Sequence, residues 1–597
     1  MLDTIEMELI KKLKEKAIFS EYLPDNFNVE ASNLDVYDQA ASYRDRVEPY
    51  SYYMSRFNKT GDKRMISIPE FGAYVALVNF LNDKKDLILR ACIECSQKDE
   101  NSFSRFINDS GELIDFDSTY GDAGFILKLD DSRESNEYEK ERSVYISNMI
   151  YKIQKTRGAA GILHIDISEF YRNIYTHILG CIKLGIYGVK EAFLRREKSS
   201  DYTLFNDLDK MVRSLNGART NGLLVGPYIS RILAESLLAV VDEELREHNL
   251  IFTRYADDYE IAVGQGEQKD DILHLVTSVF DRYYFRINTE KTFYEEYPFY
   301  IFSNYEKVIE KVQYKNGKME SPEIIELFNC FLDMEKNGEK GAVRYLLKSY
   351  SNKYVVSNKR LYVDYLINVI CNDEKNMSLA CKILLDEFSK GQVESAEGIN
   401  DVLYKQLKYN IKNGNNLGVV WLVYVLVNMG YEFGREDVIQ FLETKNELAI
   451  IILLEEQSEL FDDQLADECW NKSNCWLMLY QIALRFKEKR ETFSVKLNIP
   501  VNKGFYEKLF KAEFSFYKKT MVSAKTDLQA TDQQVNSYTP ALPVIFDDDD
   551  DLSDLNKKGT QIKGTQILSP FFELFNIFSL DCTNIKRSKI LKVNVEN

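Results

Sequence analysis

Three acids in this chain have the type and spacing to do chemistry together. In FTRYADDYEIAV, residues 252–263, Asp257 and Asp258 lie side by side at the bend of an expected hairpin, with Tyr255 just ahead of them. In LHIDISEFYRNIYTHIL, residues 163–179, Asp166 closes an apolar strand. If the two strands are neighbours, Asp166 and Asp257 come close despite their distance in sequence. Carboxylates that near raise each other's proton affinity unless a cation lies between them. Two Mg²⁺ ions, roughly 3.5–4 Å apart, would resolve the conflict and could clamp both ends of a phosphoryl transfer. Oxygen ligands in a chain with 4 His favour magnesium over zinc, with Mn²⁺ as a substitute ion. Taken alone, an Asp-Asp pair at a bend also reads as a solvated turn.

Three further features shift that balance. Tyr171 stands five positions after Asp166. A Gly-rich stretch, NGLLVGPYISR, enters a Ser-bearing helix between the two acidic elements. INTEKT then places Lys291 on an expected strand after the hairpin and its following helix. The elements that must hold these residues are legible as patterns. GILHIDISEF is a strand ending in an acid, VGPYISRILAESLLAVVDEELREH a helix entered through Gly and Pro, and ILHLVTSVFDRYYFRINTEKTFYE a helix followed by a strand. Upstream, MISIPEFGAYVALVNFLNDKKDLILRACIECS reads as a short strand, a Pro turn and one long amphipathic helix. GELIDFD and AGFILKLD are short strand candidates.

The 597 residues are 45% hydrophobic and 28% charged, the composition of a globular protein with room for several domains. A net charge of -18 argues against a general nucleic-acid coating protein but permits a local basic groove. Such a groove is suggested between Arg172 and Arg231, where 10 Lys or Arg face 5 Asp or Glu, although charged helix faces give the same count. Nine Cys without framework spacing suggest a reducing compartment, and no apolar run reaches membrane-spanning length. A cytoplasmic protein without a membrane is expected. The order of segments is an N-terminal segment over 1–60, a mixed α/β region over 61–320 and an all-α region over 321–521. A flexible acidic linker over 522–565 and a docking segment over 566–597 follow.

The order of motifs resembles the fingers and palm of reverse transcriptases, over about residues 60–300 and most closely over 163–291. The resemblance implies an α/β (α+β) polymerase domain with Asp166 and Asp257 as metal ligands. Asp258 is implied as the third acid, positioning metal or primer terminus, and Lys291 as the residue that neutralises or protonates departing pyrophosphate. Tyr171, with Phe170 beside it, would lie under the incoming sugar and exclude a 2′-hydroxyl, which makes dNTPs the substrates. Gly222, Gly226 and Ser230 would shape the floor beneath the nascent base pair. Arg231 would contact a triphosphate or pair with Glu235, and Tyr255 would pack beside the primer end or serve structure alone. His177 would hydrogen-bond within the palm. One departure stands out: Leu224-Val225 occupies the place of the family's Pro-Gln before the second glycine, which weakens the case for ordinary template copying.

Within that family, YTHILG and GLLVGPYISRILAE most resemble the bacterial abortive-infection reverse transcriptases of the AbiK and AbiA type. Their properties imply anti-phage defence with a phage component as trigger. They also imply template-independent DNA synthesis primed by a protein hydroxyl, with single-stranded DNA left covalently attached. A HEAT-like helical-repeat half supporting trimers or hexamers is implied as well. The priming residue is unknown; Tyr37, Tyr43, Tyr50, Tyr52, Tyr53 and Tyr538 are candidates by position. Two other readings stay open: an RNA-templated reverse transcriptase making cDNA, and a catalytically silent nucleic-acid-binding scaffold.

Overall fold

A strand that must be buried on both faces is apolar nearly throughout, and GILHID is such a strand. In the computed structural model it is β3 (Gly161–Asp166), after the antiparallel pair β1 (Tyr50–Ser55) and β2 (Lys63–Ile68). It lies inside a four-stranded sheet with β4 (Phe252–Tyr255), β5 (Asp258–Val263) and β6 (Phe293–Glu296), in the order β4-β5-β3-β6 with every pairing antiparallel. The structure describes residues 2–15, 18–29, 35–55, 63–107, 113, 144–196, 199–300, 304–312, 318–339, 341–350, 353–391 and 397–519. AGFILKLD, nearly all of GELIDFD, the linker at 522–565 and the docking segment at 566–597 lie outside them.

The helices divide into two groups. In the first are α1 (Leu2–Lys14), α2 (Phe71–Asp83), α3 (Ile88–Lys98), α4 (Val144–Lys155), α5 (Phe170–Asn173), α6 (Cys181–Leu194), α7 (Ser200–Leu215), α8 (Tyr228–Glu247) and α9 (Lys269–Arg282). The single long helix expected after the Pro turn is two helices, because NDKKDL spends its polar residues on a turn between α2 and α3. Pro227 is the N-cap of α8, where its missing N–H costs nothing, as the sequence suggested. Buried residues occupy most of α8, and it packs against α3, α6 and α9 as the central helix of this half.

The second group runs from Tyr305–Val312 to Lys503–Lys511 and is helical apart from two-residue strands at Lys318–Met319 and Val355–Val356. Sequence-adjacent helices pack in pairs here, among them Lys359–Asn372 with Met377–Ser389 and Glu397–Asn413 with Asn416–Asn428. These helices close onto the N-terminal segments by specific contacts. Trp421 Nε1 donates to the Tyr22 carbonyl at 2.8 Å, and Asn28 N to the Phe516 carbonyl at 3.1 Å. Glu70 caps α2 through the N–H groups of Gly72 and Ala73 and also accepts from Tyr506 Oη at 2.5 Å. Phe71 meets Phe516 edge-on at 4.8 Å; such ring pairs contribute about 0.5–1.5 kcal/mol beyond their burial. Residues 1–522 consequently form one compact unit. No described helix is long and apolar enough to cross a membrane.

Candidate active site

The acids meet because two strands pair in one particular register. Asp166, last in β3, lies directly opposite Asp258, first in β5. Directly opposed residues on antiparallel strands share a face of the sheet. One step further, Ile167 N donates to the Asp257 carbonyl at 3.1 Å, tying the end of β3 to the hairpin turn. Asn288 N donates to the Asp166 carbonyl at 2.8 Å and closes the other side. Asp166, Asp257 and Asp258 are therefore gathered at one end of the sheet, as the motif spacing led one to expect.

Their electrostatics show the strain of that gathering. Asp258 faces solvent as a residue, yet its carboxyl is crowded on the site side. Desolvation, then the charges of Asp257 and Asp166 and a hydrogen bond to Asp166, push it up to about 7. Burial also raises the Asp257 carboxyl, with the Asp166 charge adding to it. Asp166 is relieved differently: Lys291 Nζ lies 2.6 Å from its Oδ1 and Asn288 Nδ2 lies 3.0 Å from its Oδ2. Lys291 is not on a strand but in the turn before β6, where its chain reaches back over Asp166. Among the described residues no three carboxylate, thiol or imidazole groups close on a common point. The donor set nonetheless fits a hard cation: it is all oxygen, and the crowding that raises Asp257 and Asp258 is what a cation between them would relieve.

Tyr171 and Phe170 share the one-turn helix α5. Phe170 is buried against Phe285 at 5.3 Å and meets the Tyr171 ring edge-on at 5.4 Å. Burial pushes the Tyr171 hydroxyl up to about 12, opposed by the charges of Arg231 and Arg64. Arg231 thus acts on the same spot as Tyr171. Glu235, the alternative partner for Arg231, gives its oxygens to Arg254 Nη1 and Nη2 at 3.1 and 2.9 Å, and to the hydroxyls of Ser102 and Ser104. His177 Nδ1 lies 2.9 Å from Asp209 Oδ2 on α7, within the palm as expected.

The glycines perform a close approach, but to this chain's own backbone. Gly226 has φ +133°, and a Cβ there would stand 2.7 Å from the Ser67 carbonyl oxygen. Val225, at the position expected for Gln, accepts a 2.7 Å hydrogen bond from Ser67 N. Gly222 has φ +94° and passes the Arg172 backbone. The loop therefore seats β2 against the palm, and Ser230 behind it is buried.

Tyr255, 43% exposed, lines a cavity of about 640 Å³ beside the hairpin. Tyr22, Met54, Tyr345, Trp421 and Arg344 are among its other walls. Of the N-terminal tyrosines singled out by position, Tyr37, Tyr50 and Tyr52 are buried, whereas Tyr53 is exposed. Sequence reasoning passed over Arg64, Asn288 and Arg254. Arg254 had a signal, a charged residue inside the apolar run LIFTRY; Arg64 and Asn288 had none.

The family model described as Reverse transcriptase (RNA-dependent DNA polymerase) matches residues 125–319, which include all three acids and Lys291. Among solved structures, apo telomerase from Candida tropicalis is similar at 11% identity and a TM-score of 0.29, over 68% of this chain and 69% of that one. Telomerase from Candida albicans in complex with a fragment of telomeric RNA is similar at 12% identity and a TM-score of 0.26, over 78% and 66%. No curated protein matches.

Proposed function

We propose that the chain is a reverse-transcriptase-type nucleotidyltransferase that polymerises dNTPs. The observation that carries this reading is the register placing Asp166 opposite Asp258, with Asp257 bonded in beside them. Asp166, Asp257 and Asp258 would hold Mg²⁺, with Mn²⁺ as its substitute. When bound, such ions stabilise charge on the attacking and leaving oxygens. In the reaction a hydroxyl attacks the α-phosphorus, its proton leaves, and the bond to the β-phosphate oxygen breaks to release pyrophosphate. Lys291, whose Nζ lies beside Asp166, would neutralise or protonate that leaving group. Arg231 and Arg64, whose charges act on Tyr171, would meet the triphosphate, and Gly222, Gly226 and Ser230 would hold the floor from behind.

Divalent-ion binding should report the Asp258 proton directly. A carboxyl at about 7 is mostly protonated at pH 6 and mostly ionised at pH 8. Mn²⁺ affinity followed by electron paramagnetic resonance should therefore rise about tenfold between those pH values. The stability of the metal-free protein should run the opposite way. A carboxyl raised in the folded state costs nothing below the unfolded value near 4, and the full penalty is reached above about 7. An affinity independent of pH would remove this account of the acids.

The finer reading is an anti-phage, abortive-infection polymerase of the AbiK and AbiA type, template-independent and primed by a protein tyrosine. Its support is the resemblance of YTHILG and GLLVGPYISRILAE, together with Val225 where a Gln would serve a template. The paired helices after residue 320 would then be HEAT-like repeats carrying self-association into trimers or hexamers. Tyr22, which the sequence did not single out, lines the cavity beside Tyr255 and joins the candidate priming hydroxyls. Nuclease-treated protein given one dNTP should make a homopolymer that stays with the protein in denaturing gels. Synthesis that requires added or bound RNA would favour the cDNA-making alternative instead.

A further inference from the structure

Ala256, between Tyr255 and Asp257, has φ +51°, in the left-handed region. A non-glycine residue is strained there, so the turn relies on external support. Both of its backbone groups are held by buried side chains. Ala256 N donates to Ser104 Oγ at 2.7 Å, and Arg254 Nη1 donates to the Ala256 carbonyl at 3.0 Å. Those two side chains are fixed by one carboxylate: Glu235 Oε2 accepts from Ser104 Oγ at 2.9 Å and from Arg254 Nη1 at 3.1 Å. Arg254 is anchored again by Asp99 Oδ2 at 2.9 Å and Asp242 Oδ2 at 2.6 Å, and Tyr259 Oη donates to the other oxygen of Asp242 at 2.8 Å.

We propose that Ser104 and Arg254, locked by Glu235, form a clamp on the Ala256 peptide that positions Asp257 and Asp258 for catalysis. Ser104 reaches the turn from outside the hairpin. Its segment runs alongside β4, with Arg254 N donating to the Asn101 carbonyl at 2.8 Å and Phe103 N to the Arg254 carbonyl at 2.7 Å. The guanidinium is fully buried among three carboxylates, with Arg246 Nη1 donating to Asp99 at 3.0 Å. Burial raises the Asp242 carboxyl well above its ordinary range, opposed by the charge of Arg254. A buried, hydrogen-bonded cluster of this kind permits little rotamer freedom. Both clamp side chains are positioning residues: they act on the acids through the Ala256 peptide.

This inference rests on the polymerase reading, so its test needs a readout that survives that reading's failure. Ser104→Ala removes the acceptor for Ala256 N; Ser104→Thr keeps the hydroxyl. Ser236→Ala is the structural control, since the buried Ser236 hydroxyl donates to the Ile232 and Cys92 carbonyls and to no member of the clamp. We expect Ser104→Ala to lower kcat for dNTP incorporation about tenfold with KM within about twofold, and to weaken Mn²⁺ binding about fivefold. Ser104→Thr should restore both, while Ser236→Ala lowers Tm comparably and changes neither. If Ser104→Ala matches the unmodified protein in kcat and Mn²⁺ affinity, or if Ser236→Ala impairs them equally, the clamp is overturned. If the unmodified protein binds Mn²⁺ but incorporates no dNTP, the polymerase reading fails, and the change in Mn²⁺ affinity alone decides the clamp. Without Mn²⁺ binding in the unmodified protein, both fall.

Discussion

Asp257→Asn abolishes nucleotide incorporation and leaves the metal-free protein at least as stable as before. The two halves of this expectation have one cause. Asp257 stands among like charges, and burial together with Asp166 raises its carboxyl above the ordinary range. Asparagine keeps the shape of the side chain, so the Ile167 N bond to the residue 257 carbonyl persists. It removes one negative charge from a crowded set, which lowers the repulsion felt by Asp258 and Asp166. The same missing charge is what a divalent ion would need. Losing one anionic ligand at a phosphoryl-transfer centre costs about 10³-fold or more, roughly 4 kcal/mol of barrier. Incorporation of radiolabelled dNTP and thermal unfolding in chelator measure the two effects. Incorporation within tenfold of the unmodified protein would end the role assigned to this acid. A sharp fall in Tm would show that the carboxylate serves the fold instead.

The sequence carried the acids well because the constraint on them is local and periodic. A strand ending in Asp and a hairpin bending at Asp-Asp leave few pairings that keep LHI and IAV both buried, and the observed register is one of them. The helical second half was legible for the same reason, since apolar periodicity does not depend on partners. What escaped was tertiary. Lys291 reaches Asp166 from a turn and not from a strand, because Asn288 and Thr292 fold that segment back through the Asn288 carbonyl. Gly222 and Gly226 were legible as sites of close approach, but the approaching group is the backbone of Arg172 and Ser67, separated from them by 50 to about 160 positions. Glu235 lies one helical turn from Arg231, and intrahelical spacing favours that pair. Arg254, buried and 19 positions away, offers both terminal nitrogens to the carboxylate. In each case the deciding partner comes from a distant segment, which no window along the chain can contain.

On the proposed polymerase reading, Tyr171→Ala should admit ribonucleotides where the unmodified protein favours dNTPs. The argument begins with rigidity. Tyr171 sits on a single helical turn, its carbonyl accepts from Leu223 N at 2.8 Å, and Phe170, itself packed on Phe285, meets the Tyr171 ring edge-on at 5.4 Å. A ring braced by that contact and by its bonded backbone would meet an added hydroxyl as a wall. Removing the ring opens that space without touching Asp166, Asp257 or Asp258. Steric rejection of one small group is worth about 2–3 kcal/mol, so the ratio of kcat/KM for dNTP over rNTP should fall about 10²-fold. The dNTP reaction itself should slow by about tenfold, because the sugar loses its packing surface. Tyr171→Phe is the informative companion: it preserves the ring and removes only a hydroxyl whose ionisation burial suppresses. It should keep the selectivity of the unmodified enzyme. Measured with competing dNTP and rNTP on the same preparation, an unchanged ratio in Tyr171→Ala would show that this ring does not lie against the sugar. A ratio that collapses in Tyr171→Phe as well would transfer the discrimination from bulk to the hydroxyl.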